Sequence, residues 1–284
     1  MKEFKEKIAV ITGAASGIGR AIANRCAKEG MKVVLADIEE NALKEVEEEL
    51  KSITSEVQSK KTDVSKATDV EALAQETFET FEEIHLLCNN AGVGAGGKIM
   101  EHSLNDWKWV MGVNLWGVIH GVHYFVPRML EQDAESHVVN TGSGWSLVAG
   151  DGAYGVTKYG ILALTEMLSH QLKQQSTKVK VSILIPGLIN TRIGDSERNR
   201  PEQFKNPPLD PKQQRKRDRH KKFYKKVLAA GMAPEKVAYF LFEGIKNERF
   251  YILTDAGQRN AVKDRMNGIL QAMDKIPRLD EGMN

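Results

Sequence analysis

The feature that most constrains this chain is a strict alternation of short β-branched apolar runs with longer helix-patterned stretches. The runs fall at residues 7–12, 32–37, 56–61, 85–89, 136–141 and 178–185. Most are nearly continuous in apolar residues, the signature of strands covered on both faces, as in a parallel sheet. Helical patterns occupy 18–29, 39–52, 66–81, 103–130 and 153–174. In the second of these, Leu43, Val46 and Leu50 fall at helical spacing amid glutamates and mark one buried stripe. Strand–helix–strand alternation implies right-handed crossovers, and therefore a doubly wound parallel α/β sheet with helices on both faces. A seventh strand is expected at 250–254, after a helix over 234–246.

The sequence has no internal repeat and no linker rich in Pro, Gly or Ser, so a single catalytic domain over residues 1–284 is expected. Two stretches interrupt the alternation. Residues 188–232 read as an insertion covering a site, with Pro201, Pro207, Pro208 and Pro211 ahead of a basic helix. The prolines forbid a continuous helix across 200–211, which is expected to be irregular and mobile. Phe223, Val227 and Leu228 are expected to anchor the basic helix behind it. Residues 256–284 read as a C-terminal helical extension, with Val262, Met266, Ile269 and Met273 at amphipathic spacing.

No apolar run approaches the ~20 residues needed to span a bilayer. The apolar stretch from Ile8 to Ile11 is too brief for a signal-peptide core, so the expected compartment is the cytoplasm. Cys26 and Cys88 suit reduced thiols packed in a core. Neither cysteine, and none of the 7 histidines, has metal-ligand spacing, so no metal is expected.

At the junction of the first strand and first helix lies Thr12-Gly13-Ala14-Ala15-Ser16-Gly17-Ile18-Gly19. Glycines there let the backbone turn sharply and bring N–H groups to a pyrophosphate, which the helix N-terminus also favours. An ordinary tight turn is the plainer reading. The second run, ending in Asp37, argues against it. A carboxylate at that point accepts hydrogen bonds from the adenosine ribose and repels a 2′-phosphate, although it could also cap the next helix. No Lys or Arg stands at Ser16 or Ile38 to receive that phosphate, so NAD(H) is expected over NADP(H).

Tyr154 and Lys158 are four residues apart, hence on one helical face. An unperturbed tyrosine, with a pKa near ~10, exchanges protons poorly at neutral pH. A neighbouring ammonium, helped by a nicotinamide cation, favours the phenolate. Taken alone, the pair reads first as an ordinary helix-surface pair, because this spacing occurs often by chance.

It does not stand alone. The chain carries Asp63-Val64 after the third run, Asn89-Asn90-Ala91-Gly92 after the fourth and Asn114 in the long helix. It also carries Asn140-Thr141-Gly142-Ser143 after the fifth run and Pro186-Gly187-Leu188-Ile189-Asn190-Thr191 after the sixth. With the glycine-rich turn and the Tyr/Lys pair, these motifs resemble the short-chain dehydrogenase/reductase family over roughly residues 5–190. The gap between Gly13 and Gly17 fits its classical members.

The resemblance implies a Rossmann-type fold and a role for each matched position. Tyr154 would exchange a proton with the substrate oxygen, and Ser143 would hydrogen-bond that oxygen. Lys158 would bind the nicotinamide ribose and depress the tyrosine pKa. Asn114 would hold a water linking Lys158 to solvent. Gly13, Ser16, Gly17, Ile18 and Gly19 would cradle the phosphates, with Asp37 on the ribose. Asp63 and Val64 would flank adenine, and Asn90, Ala91 and Gly92 would line the cofactor backbone. Pro186, Gly187, Ile189 and Thr191 would hold the carboxamide end. Ser143 is preferred to Thr141 as the catalytic hydroxyl because Thr141 still lies inside the strand. The segment after the last strand lacks the glycine-rich pattern common in the family, although a homodimer or homotetramer is expected.

Val93, Trp145, Leu147 and Leu188 are the expected apolar walls of a substrate pocket, which suggests a lipophilic ketone or secondary alcohol. Residues 212–226 hold nine Lys/Arg and one acid, so they contribute +8 and the rest of the chain sums to −6. Three readings of this block stand: a solvated helix face, recognition of an anionic substrate or membrane surface, and nucleic-acid binding, for which no motif is present. An NADPH-linked reductase and a catalytically silent binding protein are the alternatives to an active NAD(H) enzyme.

Overall fold

Seven strands run parallel in one sheet: β1 (Ile8–Thr12), β2 (Lys32–Asp37), β3 (Val57–Lys61), β4 (Leu86–Asn89), β5 (Ser136–Thr141), β6 (Val179–Ile185) and β7 (Tyr251–Leu253). Their order is β3-β2-β1-β4-β5-β6-β7 in a computed structural model that describes residues 1–54, 56–95, 97–150 and 152–276. The chain winds outward from β1 in one direction, then crosses to β4 and winds in the other. This is the expected Rossmann-type α/β fold, and its reversal point between β1 and β4 opens a crevice at the strands' C-terminal ends.

The near-continuous apolar strands are explained by what covers them. On one face lie α1 (Gly17–Lys28), α2 (Glu40–Lys51) and α8 (Pro234–Lys246), packing Ile22, Cys26, Leu43 and Phe242 against Ile11 and Leu35. On the other face α3 (Ala67–Phe81), α5 (Gly117–Glu131) and α6 (Gly152–Gln174) bring Phe78, Phe125 and Leu168 against Val34, Leu87 and Val138. Side chains of this size each contribute roughly 1.5–3 kcal/mol on full burial. Both cysteines are free and buried.

The helix expected over 103–130 is not continuous. It consists of α4 (Leu104–Val110), a π-helical stretch (Met111–Trp116) and α5. The wider turn places Asn114 on the inside, fully buried, where an unbroken α-helix would have set it differently. Apolar periodicity does not distinguish these cases.

Residues 188–232 leave the sheet after β6 and return to their starting point. Met232 N donates to Leu188 O at 2.9 Å and Asn190 N donates to Met232 O at 2.9 Å, closing the segment at its neck. The stretch over 200–211 is irregular, as the prolines require, but its first half is tethered rather than loose. Arg200, buried, pairs with Asp106 at 2.6 Å and lies 4.9 Å from the Trp109 ring, while Asn206 Nδ2 donates to Asp106 Oδ1 at 2.9 Å.

The basic helix, α7 (Pro211–Ala229), is held differently from expectation. Leu228 is buried and Tyr224, one turn earlier, packs with it against Gly194, while Phe223 is 66% exposed. Lys221 and Lys225 pair with Asp195 at 2.8 and 3.4 Å, and Arg217 with Glu197 at 3.2 Å. Phe223 misses the face because residues 224 and 228 define it, and one residue is about 100° of helix. The last helix, α9 (Arg259–Asp274), forms where expected, but Met266, Ile269 and Met273 are exposed along it. Among the described residues no helix is long and apolar enough to cross a membrane.

Candidate active site

A cavity of about 910 Å³ follows the C-terminal ends of β1, β2, β4, β5 and β6 and continues beneath the 188–232 segment. Its floor at one end is the turn from β1 to α1. Gly13 sits at φ 69°, in the left-handed region that glycine adopts freely, and a Cβ there would meet Ala91 Cα at 2.8 Å. Gly19 does not line the cavity, contrary to expectation. A Cβ on it would collide with the Gly13 carbonyl oxygen, so its part is to let α1 close onto the turn. Gly13, Ser16, Gly17 and Ile18 do line the cavity, with backbone N–H groups at the helix N-terminus available to an anion.

Thr12 and Asn90 lock this turn to β4. The Thr12 hydroxyl accepts from Asn90 N at 2.9 Å and Ala91 N at 3.1 Å, and Asn90 Nδ2 donates to Thr12 O at 3.0 Å. Asp37 combines its two readings: Oδ2 accepts from Ala15 N in the glycine turn and Oδ1 from Glu39 N ahead of α2, each at 2.9 Å. Burial raises its pKa, against the hydrogen bonds from Glu39 and Ala15. Asp63, Val64, Ala91 and Gly92 lie along the same groove. So do Pro186, Gly187, Ile189 and Thr191, the last also capping the next turn with its hydroxyl toward Ile193 N at 3.5 Å. These residues fit a dinucleotide: a turn too close to Ala91 for a Cβ at Gly13, amide donors at the helix N-terminus and a carboxylate at the end of the adjacent strand.

At the other end Ser143, Tyr154 and Lys158 face the cavity together. Burial pushes the Tyr154 phenol up to about 12, and a hydrogen bond with the Ser143 hydroxyl offsets part of that rise. The phenol is thus raised, not depressed. Lys158 Nζ donates to Thr141 O at 2.8 Å and lies 5.4 Å from the Tyr154 ring centroid. Its own burial pushes its pKa down to about 7, which reduces the charge it can offer. Thr141, the rejected candidate, ends β5, with its hydroxyl directed to Asn90 Oδ1 at 3.4 Å.

Asn114 lies behind this trio and does not reach the cavity surface. Its Oδ1 accepts from Val93 N at 2.8 Å, and its Nδ2 donates to Val93 O at 3.0 Å and Thr157 Oγ1 at 3.2 Å. Both amide protons are therefore committed, and only the second lone pair of Oδ1 remains for a relay water.

The four expected pocket walls, Val93, Trp145, Leu147 and Leu188, all line the cavity. Trp145 packs edge-on to Tyr154 with centroids 5.7 Å apart. Several wall residues escaped sequence reasoning. Trp109 and Val113 come from the long helix, Ile193, Tyr224 and Leu228 from the 188–232 segment, Asp255 from the turn after β7, and Gln258, Arg259 and Val262 from the C-terminal extension. From α7 only Tyr224 and Leu228 line the cavity, so its lysines and arginines lie outside it. Arg192, Arg198 and Glu39 surround the adenosine end, where sequence inspection of positions near Asp37 found no basic residue. Nothing short of the fold would have brought residues 192 and 198 there.

Comparison with known proteins agrees with this geometry. The short chain dehydrogenase family model matches residues 7–202. A short chain dehydrogenase/reductase from Burkholderia phymatum, solved in complex with NAD, is 42% identical with a TM-score of 0.91, over 96% of this chain and 97% of that one. A "CLA biosynthesis dehydrogenase/reductase" of Lactiplantibacillus plantarum is 31% identical over 95% of both chains. A "1-deoxy-11-beta-hydroxypentalenate dehydrogenase" of Streptomyces exfoliatus is 30% identical over 94% of this chain and 89% of that protein. The chain belongs to the short-chain dehydrogenase/reductase family, and is an oxidoreductase of that class.

Proposed function

We propose that this protein is an NAD(H)-dependent dehydrogenase that interconverts a lipophilic secondary alcohol and its ketone. The observation that carries the reading is that Ser143, Tyr154 and Lys158 face the same cavity as the glycine turn and Asp37. NAD in the Burkholderia phymatum relative and the hydroxypentalenate named for the Streptomyces relative support it. Bound NAD(H) supplies the hydride acceptor or donor. Tyr154 passes a proton to the substrate oxygen during reduction and takes it back during oxidation, and Ser143 holds that oxygen in place. Lys158 would hold the nicotinamide ribose, and its ammonium beside the phenol would favour the phenolate when the cofactor is bound. Asn114 positions Val93, in the loop after β4, and Thr157 behind Lys158. Residues 188–232 and the start of α9 complete the substrate walls as parts of one catalytic unit.

NADP(H) is the second reading, favoured by Arg192 and Arg198 at the adenosine end. Glu39 holds both arginines, and Asp37 adds a second carboxylate, so the local charge favours the dinucleotide without a 2′-phosphate. Fluorescence titration with the four nicotinamide cofactors, followed by a panel of ketones and alcohols, tests the proposal. Tighter binding of NADPH than NADH, or no turnover across lipophilic alcohols, contradicts it.

A further inference from the structure

Four cationic side chains line the cavity: Lys158, Arg192, Arg198 and Arg259. Three are committed. Lys158 donates to the Thr141 carbonyl, and Arg192 and Arg198 pair with Glu39 at 3.9 and 2.5 Å. Arg259 has no hydrogen-bond or ion-pair partner for its guanidinium among the described residues. Its charge is permanent, because an arginine is not deprotonated in a protein.

The position of Arg259 relates it to the reacting end. It opens α9, directly after Gln258, whose side chain packs against Gly144, the neighbour of Ser143. One turn further, Val262 presents apolar surface to the same cavity. The nearest acid in sequence, Asp255, is engaged elsewhere: Oδ1 accepts from Gly257 N at 2.8 Å, and the carboxylate lies against Gly187 on the cofactor side. The cavity wall toward the substrate thus combines Trp145, Leu147, Leu188 and Val262 with an exposed guanidinium that has no partner among the described residues.

We propose that Arg259 binds a carboxylate on the substrate, which makes the substrate class a lipophilic hydroxy or keto acid. This deepens the dehydrogenase reading and rests on it. A guanidinium matches a carboxylate in plane and in bidentate spacing. It also matches a phosphate in geometry, but a dianion would leave one charge uncompensated, because the other cavity cations are engaged. The basic face of α7 does not enter the choice, since its lysines and arginines lie outside the cavity. The acid head group stays at the wet edge, the apolar body lies along the Trp145 side, and the alcohol carbon reaches Tyr154.

Isothermal titration of the NAD-loaded protein with decanoate and with its neutral isostere decanamide tests this without requiring turnover. Wild type is expected to bind decanoate about tenfold or more tighter, the scale of a hydrogen bond to a charged group. Arg259→Gln should bring the two within about twofold, and Arg259→Lys should restore part of the preference. A decanoate preference that is absent in wild type, or that survives in Arg259→Gln, overturns the proposal. Loss of NAD affinity in Arg259→Gln also overturns it, by placing the side chain in the cofactor site. Decyl phosphate binding tighter than decanoate would reassign the subsite to phosphate. Absence of NADH formation from any alcohol, with the decanoate preference intact, counts instead against the dehydrogenase reading.

Discussion

Arg198 grips Glu39 through Nε at 3.0 Å and Nη2 at 2.5 Å, and so ties the segment after β6 to the turn after β2. Asn199 Nδ2 adds a bond to the same oxygen at 2.9 Å. Burial alone would raise the Glu39 pKa, but hydrogen bonds from Arg198 and Asn199 and the charges of Arg198 and Arg192 hold it below the usual range. All four residues line the adenosine end of the cavity beside Asp37. Cofactor choice and the placement of the 188–232 segment therefore share one set of charges.

Replacing Glu39 with Gln should separate them. The neutral isostere leaves Arg198 and Arg192 charged but uncompensated next to the ribose site. NADPH affinity is expected to improve roughly threefold to tenfold relative to NADH at low salt, about 1 kcal/mol for one charge at short range in a wet site. Adding Asp37→Ser should improve it further and weaken NADH. Titrations at low and high salt check this, because the Glu39→Gln gain should fade as salt screens it. An unchanged NADPH/NADH ratio would contradict the assignment.

Tyr154→Phe isolates the proton-transfer step. The ring keeps its edge-on contact with Trp145, and the hydroxyl is assigned to substrate rather than to cofactor, so NADH binding should stay within about twofold of wild type. Turnover should fall by roughly 10²–10⁴, the scale for losing a general acid/base. Near-normal turnover would sink the mechanism.

Much of this was legible in the sequence, for identifiable reasons. Strands buried on both faces announce themselves as apolar runs, and β2 and β5 fall within the ranges read from them. Gly13 and Asp37 were readable because each needs its residue type for a local reason, a left-handed backbone and a strand-end carboxylate. What escaped has a non-local origin. The π turn at Asn114 depends on how Val93 and Thr157 are placed. The Glu39–Arg198 pair spans 159 positions, and no pattern of charges along the chain predicts it. The raised Tyr154 pKa follows from burial, which a Tyr/Lys spacing cannot express. Phe223 and the apolar side chains of α9 show the converse: apolar periodicity marks a helix face without saying that anything covers it.

Arg200 tests how the 188–232 segment is held. Its guanidinium bonds Asp106 and Glu197 and donates to Phe204 O at 2.8 Å, in a nearly dry position over Trp109. Arg200→Ala leaves Asp106 without its counter-ion, where Ser103 and Asn206 alone must satisfy it. Breaking a buried pair from one side costs about 3 kcal/mol or more. Thermal unfolding should register that loss, and substrate KM should rise because Ile193, Tyr224 and Leu228 lose their footing over the cavity. Arg200→Lys should recover little, since one ammonium cannot reach three acceptors in a plane. Wild-type stability in Arg200→Ala would show that the tether carries no load.

Lys158 exposes a conflict between stability and function. It is only 4% exposed, donates to the Thr141 carbonyl, and burial pushes its pKa from the ordinary 10.5 down to about 7. The unfolded chain therefore keeps this proton up to a pH near 10.4, while the folded protein releases it near 7. Between those values the unfolded state binds more protons, so this group makes stability rise with pH. Below about pH 7 the folded protein carries the ammonium in its interior and the destabilisation is complete. Lys158→Met removes that burden at similar volume and should stabilise the fold by about 1–3 kcal/mol near neutral pH. The advantage should narrow as pH rises from about 7 toward 10, because wild type sheds the charge over the same window. Urea unfolding of both proteins across that range measures the gap, alongside the expected loss of turnover. A variant less stable than wild type at neutral pH, or a gap that does not change with pH, would mean that Lys158 is well solvated or paired in the folded protein and that its burial is not what lowers its pKa.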